Sequence, residues 1–418
     1  MSVFNKAGHY LLSNAFSAAI PFVLLPILTR KMSLNDYGEF SVFQSLITGF
    51  GALVGLNTVG AAARKYYDDV IFGHLVRYNS SCFAILILSL IFLYIVISLL
   101  SGVITRKELF DNSLLMIALF ISFFNYVLLF RLSQFQIREQ SNKYFHYQLI
   151  KGGSLFIIVL LFLELFDASV RTVVMAFFTS AAIVAFISML SLFRSGLIKI
   201  NSFSIADSVD AIKFGLPLVP HVLGVFLLSY IDRIVIATSL GNEKAAIYML
   251  GVQLSLGVCC FFDALNKALL PWFYRALKLN DPDKNRLIVK HTYKALFMIS
   301  IVALFLFFVS PTFITIVAGE KYESARDLIG WLFVGQCYVG CYMLFTNYLF
   351  FNKKTGVLSV ITFLTGLMHL LFVSYAVNNY DLNMVAKIFC ISMFVRFIMT
   401  ALLANRIHPM PWKLSLNE

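Results

Sequence analysis

The chain has 418 residues, of which 60% are apolar and only 13% charged, whereas soluble domains run about half apolar and about a quarter charged. That balance excludes a soluble globular enzyme, and at about 20 residues per bilayer crossing the apolar complement suffices for roughly twelve helices. The formal charge of +12 does not point to nucleic acid, because the basic residues are scattered between apolar stretches rather than gathered into a run.

In chain order, the first apolar stretch, 10–28, is longer than a signal-peptide core. It runs into Arg30 and Lys31 without a small-residue cleavage site, so it reads as a retained first helix. Spans are expected near 9–29, 38–62, 79–101, 113–132, 146–166 and 171–193, then near 214–238, 245–270, 293–317, 327–351, 355–377 and 383–405. The first and seventh carry prolines (Pro21, Pro26; Pro217, Pro220), which mark them either as hinge or cavity helices or as simple kinks. All six cysteines fall inside apolar segments without a CxxC pair and read as small buried side chains.

With a cytoplasmic amino terminus, one side of the membrane carries about 22 Lys and Arg and the other about 9. The positive-inside rule then places both termini, and the longest connection, 271–291, in the cytoplasm. Met32, Ser33 and Phe40 are echoed 208 positions later by Leu240, Gly241 and Tyr248. Six crossings restore the same orientation, so the halves read as parallel repeats. The expected organisation is an all-α integral membrane protein of twelve transmembrane helices in two pseudo-symmetric six-helix lobes. The lobes are 1–194 and 212–406, joined by a cytoplasmic linker, 195–211, and followed by a cytoplasmic tail, 407–418. The linker reads as a solvated connector, with an amphipathic interfacial helix as the alternative. A monomer is expected, since both lobes lie in one chain.

Enzymatic signatures are missing: there is no GxxxxGK[ST], HExxH or GxSxG, and no acidic cluster placed to hold Mg²⁺. No catalytic residue, metal or cofactor is expected. His221 and His369 are single histidines in apolar spans and read as hydrogen-bonded packing residues, His221 being the better functional candidate because it adjoins the proline breaks.

Ionisable groups within or beside spans are the sharper signal, because a charge near the bilayer centre costs about 2.5–3.5 kcal/mol even on lenient scales. The cations are Arg30, Arg64, Lys65, Arg131, Arg233, Lys267 and Arg396; the acids are Asp232, Asp263 and Glu164. Snorkelling to headgroups is the simpler reading of Arg64, Lys65 and Arg131 and is weaker for Arg233 and Arg396; Asp263 and Lys267, four apart on one helix face, read either as a local pair or as groups that meet substrate. Asp232 reads as a proton carrier or as a partner for a cation, and Tyr66, Tyr67 and Tyr248 as rings for stacking on sugars. The surplus of cations argues for an anionic substrate, and the arginine fork suits phosphate.

The segment PFVLLPILTRKMSLNDYGEFSVFQSL, then GLNTVGAAARKYYDD, resembles the amino-terminal signature of bacterial O-antigen flippases, and FGLPLVPHVLGVFLLSYIDRIVIATSLGNEKAAIYMLGVQL resembles the second conserved region of the same family. These belong to the polysaccharide transporter branch of the multidrug/oligosaccharidyl-lipid/polysaccharide exporter superfamily. The resemblance implies a MATE-like fold in the bacterial inner membrane. It implies a carrier that moves undecaprenyl-pyrophosphate-linked oligosaccharide from the cytoplasmic to the periplasmic leaflet by alternating access of a cationic central cavity. It also implies contact with membrane lipid and with other polysaccharide-assembly membrane proteins. Arg30, Arg64, Lys65, Arg233, Lys267 and Arg396 would face the pyrophosphate or acidic sugars, Arg64 and Arg233 foremost because they lie in the matching blocks; Asp232 or Asp263 would couple an ion. The rival readings are an O-antigen polymerase, which would show a long periplasmic loop, and a drug exporter, which would favour embedded carboxylates.

Overall fold

The computed structural model describes residues 3–68, 71–106, 112–279 and 281–412, and among these every regular element is a helix. The expected tail beyond Trp412 lies outside the described residues. Among the described residues, twelve helical stretches are long and apolar enough to cross a membrane, as the hydropathy runs predict. Many of their large apolar side chains are exposed, among them Phe92, Leu99, Phe297, Phe305 and Phe308, as suits helices solvated by hydrocarbon. The chain forms two compact units, 1–226 and 227–418.

The first unit contains α1 (Val3–Lys31), α2 (Leu34–Leu53), α3 (Thr58–Asp68), α4 (Phe72–Arg106), α5 (Asn112–Ile137), α6 (Ser141–Leu165), α7 (Val170–Arg194), α8 (Ile205–Gly215) and the start of α9 (Val219–Ser229). α1 packs on α6, α6 on α7, α7 on α5, and α5 on α2 and α4, while α8 lies against α3 and α4. Ser33 caps α2 by accepting from the backbone N–H of Asp36 at 3.0 Å, which satisfies one of the N–H groups a helix start leaves open.

α2 and α3 form one crossing that is interrupted in its middle. Gly55, Leu56 and Asn57 have φ of 69°, 48° and 58°, so three consecutive residues are left-handed, a conformation non-glycine residues rarely adopt. Side chains from two other helices close this break. The Gly55 N–H donates to Ser89 Oγ at 2.9 Å, Thr58 Oγ1 donates to Gly55 O at 2.8 Å, and the Tyr126 hydroxyl meets Thr58 Oγ1. No proline marks the spot. The prolines of the first span do not interrupt it: α1 runs through Pro21 and Pro26 as one helix.

The 195–211 segment is laced to α4 by three consecutive polar residues. Asn79 donates to Leu197 O (3.2 Å), Ser80 Oγ accepts from Lys199 N–H (3.0 Å), and Ser81 Oγ accepts from Ser204 N–H (2.9 Å). The second half of this segment is helical, as the start of α8.

The second unit contains the end of α9, α10 (Ile231–Leu240), α11 (Asn242–Leu279), α12 (Pro282–Ala318), α13 (Arg326–Phe351), α14 (Thr355–Asn379) and α15 (Leu382–Ile407). α13 is its centre, packed by α11, α12 and α15; α14 packs on α15 and α10. Close approach is set by small residues: a Cβ on Gly335 would lie 2.5 Å from the Phe389 ring, so α13 and α15 meet where a side chain is missing.

Two expectations are corrected here. The seventh helical stretch long and apolar enough to cross a membrane is 205–229, in place of the expected 214–238, with 231–240 as the separate helix α10. Pro217 sits in a 3-10 turn, 216–218, and Tyr230, at φ −135° and ψ −24°, ends the helical path before Ile231. Nor is 271–291 a loop, because α11 continues to Leu279 and α12 begins at Pro282. At 38 residues α11 is about 57 Å long, well beyond a hydrocarbon core of about 30 Å. The extension stays helical because it has an apolar stripe to bury. Phe273, Ala276 and Leu277 of α11 and Ile288 and Val289 of α12 pack with Phe345, Tyr348 and Met410.

The repeat seen in sequence has a local counterpart. Ser33 stands between α1 and α2, Gly241 between α10 and α11, and Phe40 and Tyr248 are each buried one to two turns into the following helix.

Candidate functional site

In the first unit, α3, α4 and α8 enclose a pocket of about 450 Å³ lined by Arg64, Lys65, Asp68, Tyr78, Asp207, Asp210, Lys213 and Phe214. Arg64 is 65% exposed at its side chain, pairs with Asp68 at 3.3 Å, and lies 5.5 Å from the Phe214 ring centroid. The Lys65 ammonium stands 5.6 Å over the Tyr78 ring. Tyr78 in turn donates to Asp210 at 2.8 Å, and Arg77 bonds Asp207 at 2.7 Å. Arg30 does not join this group. It lies in the last turn of α1, exposed, at the opposite end of the 34–68 crossing, where its neighbour Lys31 pairs with Glu164.

Arg131, read from sequence as a snorkelling side chain, is instead buried, stacked 4.0 Å over Phe135, with Nη1 3.4 Å from Ser195 Oγ and Nε without a hydrogen-bond partner. Arg138, just past α5, lies 4.8 Å over the Tyr66 ring. Burial holds its guanidinium below the ordinary arginine value, an effect that Tyr66 opposes. Tyr66 therefore already carries a cation on its face.

The second unit holds a buried polar cluster. Asp232 and Arg233 open α10 and are each 2% exposed. The Asp232 carboxylate takes His369 Nε2 on Oδ1 at 2.6 Å and the Tyr248 hydroxyl on Oδ2, and His369 Nδ1 meets Ser392 Oγ at 2.9 Å. Four helices, α10, α11, α14 and α15, thus meet on one carboxylate and one imidazole. Arg233 stacks 4.9 Å over Tyr230, the residue at the helix break, and its Nε and Nη1 have no hydrogen-bond partner. Unsatisfied buried donors on a cation are expensive, and an anion is their natural complement.

Arg396 on α15 is 6% exposed, lies 3.7 Å over the Tyr342 ring, and leaves its Nε unpartnered. Asp263 and Lys267 form the local pair the spacing predicts, at 2.5 Å on an exposed face of α11. Tyr248 does not stand ready to stack on a sugar, because it is fully buried and spends its hydroxyl on Asp232. His369, read from sequence as a packing residue, is bonded to the Asp232 carboxylate. The only hint of it in the sequence is one imidazole in a span without charged residues. Among the described residues no group of three or more His, Cys, Asp or Glu is arranged to hold a metal.

A family model described as "Polysaccharide biosynthesis protein" matches residues 3–277. The chain belongs to the polysaccharide biosynthesis protein family. Both segments that carry the flippase resemblance lie within the matched residues. The chain is 29% identical over 388 residues to "Lsg locus putative protein 1" of Haemophilus influenzae, covering 89% of this chain and 92% of that one.

In fold, this polysaccharide biosynthesis protein matches the lipid II flippase MurJ in its inward closed conformation, with a TM-score of 0.75 over 96% of this chain and 87% of that one at 13% identity. It also matches an inward-facing multidrug resistance MATE family transporter of the MOP superfamily, with a TM-score of 0.74 over 93% and 94% at 14% identity. The MATE-like expectation is therefore met: the protein is a multi-pass helical membrane protein with the fold of these transporters.

Proposed function

We propose that this protein is a flippase, not an enzyme, that carries undecaprenyl-pyrophosphate-linked oligosaccharide repeat units, O-antigen or a related surface glycan, from the cytoplasmic to the periplasmic leaflet of the bacterial inner membrane, with both termini cytoplasmic. The observation that carries this reading is the set of buried guanidinium groups with unspent donors, Arg233 and Arg396, inside a member of a polysaccharide biosynthesis family. A pyrophosphate dragged through hydrocarbon leaves several acceptors unsatisfied at several kcal/mol each, roughly; arginine forks replace its water. The lipid II flippase of the same fold supports a lipid-linked cargo. Arg64 and Lys65, on the rim of the first unit's pocket, supply further positive charge where the cargo is captured, and alternating access moves it. Lys267 is committed to Asp263 and plays a local part.

The test is a strain lacking the gene, assayed for surface glycan and for the sidedness of undecaprenyl-linked repeat units. Loss of glycan with units trapped on the cytoplasmic face, restored by the wild type but not by Arg233→Ala or Arg64→Ala, is expected. Normal glycan with altered drug tolerance, or single repeat units reaching the surface, overturns the proposal.

A further inference from the structure

The buried cluster around His369 is more than packing. The imidazole is completely enclosed, and both ring nitrogens are engaged, Nε2 with Asp232 at 2.6 Å and Nδ1 with Ser392 Oγ at 2.9 Å. With the ring neutral, Nε2–H donates to the carboxylate and Nδ1 accepts from the serine hydroxyl. When a proton arrives on Nδ1, the serine oxygen becomes the acceptor and its hydroxyl turns away, while Tyr248 goes on donating to the other carboxylate oxygen. Each ring partner can serve both states, so the imidazole keeps a hydrogen bond on both nitrogens with or without the extra proton. A structural histidine bonded to backbone carbonyls lacks this symmetry.

The surrounding charges fit the same use. Besides Asp232, α10 brings Arg233, and α11 brings Tyr248. α14 carries no charged residue of its own. α15 brings Ser392 to the ring; its Cys390 is buried as a free thiol, Lys387 lies over Trp331 and Arg396 over Tyr342, and its third charged residue, Arg406, stands in the last turn, well beyond Ser392. α13 has charges only in its first turn, Arg326 and Asp327, and beyond these brings the thiols Cys337 and Cys341 and the phenols Tyr338, Tyr342 and Tyr348. Asp232 is thus the counter-ion within reach of a protonated ring.

We infer that His369 and Asp232 form an occluded proton-binding site whose loading is tied to rearrangement of α10 against α11, α14 and α15. The tie follows from burial, because a ring with no path to water exchanges its proton only when the helices around it part. Arg233 gives the site its consequence, and this part rests on the flippase reading. The Arg233 Nε and Nη1 donors have no hydrogen-bond partner, and a proton on His369 adds a positive charge to the cluster that Arg233 adjoins, which favours an anion on those donors. Proton and pyrophosphate then strengthen each other's binding, and linkage makes the effect reciprocal.

The experiment is ¹⁵N NMR of histidine-labelled protein in detergent, without substrate, scanned from about pH 4 to about pH 9 around the ordinary histidine value, with His369→Gln assigning the signal. The expected result is a His369 resonance that converts between neutral and protonated forms as two separate signals in slow exchange, with its midpoint moved at least about one pH unit toward acid in Asp232→Asn. Replacing Na⁺ by choline is expected to leave it unmoved. A ring that keeps one protonation state across the scan, or one whose signal follows Na⁺, overturns the site. Adding inorganic pyrophosphate then tests the coupling. A midpoint shifted toward alkaline pH in the wild type and not in Arg233→Gln is expected, and a midpoint that pyrophosphate leaves in place overturns it. Since titration is read without cargo, a silent transport assay beside an intact titration marks failure of the flippase reading alone.

Discussion

The guanidinium of Arg396 lies over the ring of Tyr342, with Cζ 3.7 Å from the ring centroid, while its Nε makes no hydrogen bond. The aromatic face compensates the charge in part, and the fork stays free at one edge. This is the arrangement of a cation held in place but not consumed.

Arg396→Lys keeps the charge and loses both the stack and the fork, so it is expected to behave like a loss, not like a conservative change. Complementation of the deletion strain should fall by about tenfold or more, as for one charge-assisted hydrogen bond pair removed. Full rescue by lysine means that only the charge is read.

Lys267→Gln is the contrasting case. Its partner Asp263 sits on the same exposed helix face at 2.5 Å, and an exposed pair of this kind contributes less than about 1 kcal/mol. Thermal unfolding and glycan assembly are both expected to stay close to wild type. A transport defect with unchanged stability assigns Lys267 to the cargo instead.

Gly215→Ala places a Cβ 2.1 Å from the carbonyl oxygen of Leu56, a backbone atom that cannot swing aside. A loss of about 2 kcal/mol or more is expected, read as a lower unfolding temperature in detergent. Gly51→Ala, where a Cβ meets nothing within 4 Å, is the control and should be neutral or gain up to about 1 kcal/mol from helix propensity.

His408, just past α15, accepts a hydrogen bond from Asn352 Nδ2 at 3.3 Å on its Nδ1 and sits beside the Tyr348 and Phe351 rings. Burial lowers its pKa below the ordinary histidine value. The folded state therefore prefers the neutral ring while the unfolded chain binds a proton below about pH 6.5. Its contribution to stability is complete at neutral and alkaline pH and is lost as pH falls below that value. The loss should be smaller in His408→Gln when unfolding is followed from about pH 8 to about pH 5; an unchanged pH profile removes His408 from the account.

What could be read from the chain alone follows from the range of the forces involved. Twelve apolar runs announce twelve crossings because hydrocarbon solvation acts residue by residue, and Asp263 finds Lys267 because one helix turn separates them. The helical end of α11 was hidden because its stripe, Phe273, Ala276 and Leu277, is too short to register as hydrophobic, yet it packs on Tyr348 and Met410 from far along the chain. Asp232 and His369 are 137 positions apart, and only the packing of α10 on α14 brings them together. In the left-handed run, Gly55 and Asn57 are residue types that tolerate such a backbone, but Leu56 between them is not. The run exists because Ser89 and Tyr126 wait for the groups it frees.

That last arrangement bears on how the first unit moves. A gap in a membrane helix is commonly a swivel, but here the loose groups at 55–58 are tied to α4 and α5, and Gly215 is pressed against the Leu56 carbonyl. The crossing behaves as a welded elbow, not a joint. Force delivered to α3 passes into α4, α5 and α8 together instead of being absorbed at the bend.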